Sequence, residues 1–108
     1  MDINPKSGLN GKNLVKIDPE LREIVPSFIK NRHKDVLEMP EFLKKSDYKA
    51  IERVGHGMKG SGSGFGFDVI SNIGARLEKA SKEKNADDIS NCIGELSRYM
   101  EHLEISYE

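Results

Sequence analysis

Apolar residues in this chain recur mostly at three and four residue steps, the spacing of a helix with one face turned to a core. Asp18-Pro19 reads as an N-cap with a first-turn proline, followed by Leu21, Ile24, Val25, Phe28 and Ile29. Pro26 interrupts that run, which predicts a kink or a short helix followed by a longer one. Met39-Pro40 predicts a second break, after which Phe42 and Leu43 resume the pattern and Ser46-Asp47 reads as a turn and N-cap. The next helix carries Ile51, Val54 and Met58 on one face, and the glycines from Gly60 to Gly66 are expected to end it.

Asp68 opens a further helix with the stripe Ile70, Ile73, Gly74, Leu77 and Ala80; "SKEKNAD" is a polar turn. The last helix, with Ile89, Cys92, Ile93, Leu96, Met100 and Leu103, has the cleanest amphipathic pattern in the chain. No long stretch alternates apolar and polar residues, so strands are not expected. The prediction is an all-α protein, a bundle of four main helices spanning residues 18–108, preceded by a flexible arm over residues 1–17. Within that arm Leu14, Val15 and Ile17 form a short apolar patch that could dock on the bundle.

Composition narrows the picture. A length of 108 residues suits one domain. Charged residues make up 32% of the chain, yet the net charge is only −1, so no broad basic field favours nucleic acid. The absence of a long apolar run or a secretory leader pattern predicts a cytoplasmic protein without a membrane partner. The single cysteine, Cys92, cannot form an internal disulfide and reads as a small buried residue.

The segment "VGHGMKGSGSGFGF", residues 54–67, is the unusual one. Gly55-His56-Gly57-Met58-Lys59-Gly60 fits the letters of a dinucleotide fingerprint, but that fingerprint joins a buried strand to a helix, and the preceding "DYKAIERV" has helical period. A phosphate-cradling loop is therefore set aside. On a helical wheel His56 falls opposite the mean of Ile51, Val54 and Met58 and should face solvent. Lys49, Arg53, Lys59 and Gly60 fall within roughly 60 degrees of it, with Ser63 above it two turns on.

An exposed imidazole among cations suits phosphoryl transfer. Its ring nitrogen is a nucleophile near neutral pH, and Lys59 can stabilise charge spread over the phosphoryl oxygens. Gly57 and Gly60 remove side chains that would hold a second protein away. Ordinary surface decoration is the competing reading of a lone His-x-x-Lys.

Together "HGMKGSGSGFG" resembles the signature of histidine phosphotransfer (HPt) domains of two-component phosphorelays, in which His-x-Leu-Lys-Gly is followed by small residues, an apolar residue and a glycine. His56, Lys59, Gly60, Phe65 and Gly66 fall in step; Met58 stands for the usual leucine and Gly55 for a frequent alanine. The glycines at 62 and 64 exceed the pattern and could loosen the helix end. The resemblance is strong over residues 45–80, continues through "FGFDVISNIGARLEKA", and covers residues 18–107 in helix layout.

The resemblance implies an antiparallel four-helix core with His56 as phosphoacceptor, forming a phosphohistidine, and Lys59 as the charge-stabilising residue. His56 would accept a phosphoryl group from the aspartyl phosphate of one receiver domain and pass it to another, as a carrier without kinase or phosphatase activity. The implied partners are response-regulator receiver domains and a hybrid histidine kinase. No cofactor is expected on this chain, Mg2+ belonging to the receiver. Arg53, Gly57, Gly60, Ser63, Phe65 and Phe67 are the expected docking residues, Gly66 sets the turn, and a monomer is expected. The alternative is a helical binding module that blocks a kinase or receiver without carrying phosphate. His33 and His102 read as solvated histidines, and Lys30, Arg32, His33 and Lys34 as a short basic patch.

Overall fold

The computed structural model describes residues 13–108. Two short strands and four helices follow in the order β1 (Asn13–Ile17), α1 (Val25–Lys44), α2 (Tyr48–Gly64), α3 (Asp68–Lys82), α4 (Ala86–Glu101) and β2 (Leu103–Tyr107), with a 3-10 turn at Pro19–Leu21. The four-helix reading of the sequence is borne out. Their inner faces meet in one core that includes Val25, Phe28, Met39, Ile51, Met58, Phe67, Ile70, Leu77, Ile89, Cys92 and Leu96.

Asp18 caps the 3-10 turn by accepting from the Glu20 amide, and Pro26 sits in the first turn of α1, where a missing N–H costs nothing. The short-then-long arrangement predicted there is observed. The second break is not: Pro40 lies inside α1, which runs unbroken to Lys44. Met39, just before it, is fully buried, and the packing of that face offsets the hydrogen bond that proline removes.

All three connections between helices are built alike. Ser46, Gly66 and Lys84 take positive φ values of 55, 92 and 53°. The amides of Asp47, Phe67 and Asn85 then reach back to the carbonyls of Phe42, Gly62 and Ala80 at 2.8, 2.7 and 2.8 Å. This is the Schellman closure, which satisfies carbonyls left open at a helix end. The same three residues begin the next helix, Asp47 and Asn85 by accepting from the amides of Ala50 and Asp88. Gly66 thus does set the turn between α2 and α3, because a left-handed residue is required there.

Two sequence expectations fail at the ends of the chain. Residues 13–17, assigned to the flexible arm, form β1, and Leu103, assigned to the last helix, begins β2; residues 1–12 lie outside the described residues. The strands pair in parallel, Asn13 opposite Leu103 through Ile17 opposite Tyr107. Ile17 is 1% exposed and joins the core, Val15 packs against it, and Leu14 of the same apolar patch stays exposed. Each strand is only five residues long. The alternation in "LEISY" is visible only once its distant partner is known, because pairing across the whole chain leaves no local mark.

Candidate functional site

The α2–α3 pair has the closest approach in the bundle, and glycine is the reason. A Cβ on Gly55 would lie 2.7 Å from the Gly74 carbonyl oxygen, and one on Gly74 would lie 2.6 Å from both the Gly55 oxygen and the Lys59 nitrogen. A Cβ on Gly62 would meet the Ser71 nitrogen at 2.6 Å. Backbone therefore rests on backbone along three positions, and the Ser71 hydroxyl donates across the seam to the Lys59 carbonyl at 2.7 Å. The expectation that extra glycine loosens the end of α2 is corrected: Gly62 is buried, and α2 continues to Gly64.

Gly57 and Gly60 differ in kind, since a Cβ at either would meet nothing within 4 Å. Both are exposed on the helix surface that carries His56. Nothing in the fold needs glycine at these positions. Gly60→Ala is accordingly expected to raise the unfolding free energy by about 0.5–1 kcal/mol, the helix-propensity difference, as read by urea titration.

The close seam brings one further side chain to His56. Glu78, on α3, accepts from His56 Nδ1 at 2.9 Å and from Lys59 Nζ at 2.8 Å, one carboxylate oxygen to each. The Lys59 ammonium first, and His56 second, hold the Glu78 carboxyl below the ordinary carboxylate range. A group with a lowered folded pKa stabilises the fold above its unfolded pKa and loses that effect as pH falls through the folded value. The cluster is therefore assembled at neutral pH and comes apart only on acidification below the ordinary value of 4.5.

An ionised carboxylate only accepts hydrogen bonds. In the neutral imidazole the proton facing Glu78 is thus on Nδ1, which leaves the lone pair on Nε2. The ring is 70% exposed, against 14% for the Glu78 side chain and 46% for Lys59. The site is a solvent-facing nucleophilic nitrogen, oriented from behind by a sheltered carboxylate and flanked by a cation.

The remaining predicted positions divide. Arg53 and Ser63 are exposed on α2, and Arg53 joins Lys49, Glu52, His56 and Glu78 around a shallow depression of about 500 Å³. Phe65 is half-buried, its ring 4.8 Å from that of Phe28. Phe67 is fully buried and stacks on Phe28 at 5.4 Å. It cannot contribute a docking surface; as the residue that both closes α2 and precedes α3, it points into the core.

In the sequence Glu78 appears only within the family-like segment "FGFDVISNIGARLEKA" and has no assigned role there. The available signal was its position one residue after Leu77 and one turn after Gly74, on the α3 edge nearest a second small-residue helix. Among the described residues no group of three His, Cys, Asp or Glu side chains is arranged to hold a metal ion. No described helix is long and apolar enough to cross a membrane.

Comparison with protein families gives a match to the Hpt domain over residues 23–105. Searches of curated proteins and of solved structures give no match.

Proposed function

Because this chain belongs to the Hpt domain family, whose members carry phosphoryl groups on histidine in phosphorelays, we propose that His56 is its phosphoacceptor and that it relays between receiver domains. The observation that carries this reading is the Glu78 bridge, which fixes the proton on Nδ1 and leaves Nε2 to attack. A lone surface histidine has no such orienter, and a module that only blocks a partner needs none.

In the forward step Nε2 attacks the phosphorus of a receiver aspartyl phosphate in line. The N–P bond forms as the bond from phosphorus to the aspartyl oxygen breaks, and the aspartate leaves as carboxylate. Glu78 accepts the Nδ1 proton's hydrogen bond throughout and stabilises the positive charge that develops on the ring. Lys59, held by Glu78 at 2.8 Å, is positioned beside the phosphoryl oxygens and neutralises part of their charge. The return step, to a second receiver aspartate, is the reverse. Mg2+ and any nucleotide belong to the partners in this reading.

Gly57, Gly60 and Arg53 form the ground on which a receiver lands. Gly60→Ala, expected above to strengthen folding, should slow transfer in the same protein, a split that a purely structural glycine would not produce.

The testing experiment is incubation with a phosphorylated receiver domain. The expected product is a label on this chain that is lost in acid and retained in alkali; no transfer, or an acid-stable label, overturns the proposal. Glu78→Ala should slow labelling by about tenfold, as for a ring that loses the carboxylate orienting it. Glu78→Gln, which still offers an oxygen to Nδ1 but carries no charge for the ring or for Lys59, should restore only part of the rate. Equal rates in both variants and the wild type would leave Glu78 without the orienting role.

A further inference from the structure

The parallel pairing leaves one edge of β2 open. Asn13 donates to the His102 carbonyl and Glu108 donates to the Ile17 carbonyl. With the register Asn13–Leu103 to Ile17–Tyr107, the ladder uses alternate residues of β2, and the N–H and C=O groups of Ile105 and Tyr107 point away from β1. Among the described residues these groups have no backbone partner.

Beside that edge runs an open groove of about 420 Å³, lined by Ile105 and Tyr107 of β2 and by Pro26, Ile29, Lys30 and His33 of α1, and by no residue of β1. Its floor is apolar and its rim is basic. Among the described residues no carboxylate lines it, and the Arg22 guanidinium lies over the Tyr107 ring at 5.2 Å.

The basic run of α1 is divided by the fold. Arg32 pairs with Asp35 at 2.8 Å and Lys34 with Glu38 at 3.8 Å. Lys30 has no ion pair among the described residues and stands at the groove with His33. The charge left over is thus concentrated where the strand edge is open.

We propose that this edge and groove bind an extended acidic segment of a partner protein by strand addition. The segment's backbone pairs with Ile105 and Tyr107, its alternate apolar side chains lie on Pro26 and Ile29, and its carboxylates meet Lys30 and Arg22. Strand addition takes affinity from main-chain hydrogen bonds and specificity from alternate side chains, and a two-stranded sheet gains most from a third strand. A second copy of this chain is disfavoured, because its own groove would bring the same basic rim to the contact. The groove shares no lining residue with the His56 depression, so both surfaces can be occupied together.

The test is amide hydrogen exchange on the full chain with three blocked peptides: alternating glutamate and valine, alternating lysine and valine, and the glutamate peptide N-methylated at alternate residues. The glutamate peptide should slow exchange at Ile105 and Tyr107 and leave the amides around His56 unchanged; the N-methylated peptide should not. Lys30→Glu, an exposed change outside the core, should weaken glutamate-peptide binding about fivefold. Equal binding of the lysine peptide overturns the proposal, as does unchanged exchange at both amides at millimolar peptide. Slow exchange at both amides in the free protein, whether or not it varies with protein concentration, overturns it too, since the edge is then already covered.

Discussion

Replacing His56 by glutamine is expected to reduce labelling by a phosphorylated receiver to background while leaving the melting temperature nearly unchanged. The second half follows from position: the ring is 70% exposed, and surface substitutions of this kind stay within about 0.5 kcal/mol. The first half follows from what the other histidines lack. His33 and His102 are both exposed, yet among the described residues neither has a carboxylate hydrogen-bonded to its ring, as Glu78 is to His56 at 2.9 Å. A glutamine amide nitrogen has its lone pair delocalised into the carbonyl and cannot replace Nε2 as nucleophile. The check is the acid-labile label together with a thermal melt of the same preparation. Label persisting in the folded variant would move the phosphoacceptor to another histidine.

Gly74→Ala is expected to have the largest effect on folding of any single methyl added to this protein. The new Cβ would lie 2.6 Å from two backbone atoms of α2 and 2.7 Å from the Met58 Cβ, and backbone at the centre of a helix cannot yield as a flexible side chain would. The helices must separate, opening the contacts of Met58 and Leu77, both fully buried. Overpacking of this kind costs about 3 kcal/mol, which lowers the melting temperature by roughly 15 °C in a domain of this size. A second readout distinguishes seam from site. Glu78 rides on α3 one turn beyond Gly74, so separation also lengthens its contacts to His56 and Lys59. Labelling of the folded fraction should therefore slow even at a temperature where the variant is mostly native. An unchanged melting temperature would show that the seam can widen at little cost.

The contrast among the glycines shows how far the sequence could be read. Helical period in "DYKAIERV" and the placement of His56 opposite Ile51 and Met58 were enough to expose the histidine and to set Lys59 beside it. The period also located α3 and α4, whose stripes are long and regular. It could not sort the glycines, because a missing side chain looks the same whether it makes room for a neighbouring helix or for a visiting protein. Gly55 and Gly62 do the first, and Gly57 and Gly60 are open to solvent. Glu78 escaped for a related reason: it lies 22 residues from His56, and only the packing distance between two helices makes them neighbours. Phe67, expected at the docking face, lies in the core instead, because the Schellman closure after Gly66 folds it inward. The strands were missed because five residues carry too little alternation to outweigh the helical pattern on either side.

The parallel register of β1 and β2 has a mechanical consequence. Asn13 and Tyr107 stand at opposite ends of the two-stranded ladder, so tension applied through these residues slides one strand along the other. Every rung bears the load at once, where an antiparallel hairpin pulled from its open end would yield one rung at a time. The short sheet thus acts as a shear clasp across the bundle, and the helices that present His56 are shielded from force until the clasp slips.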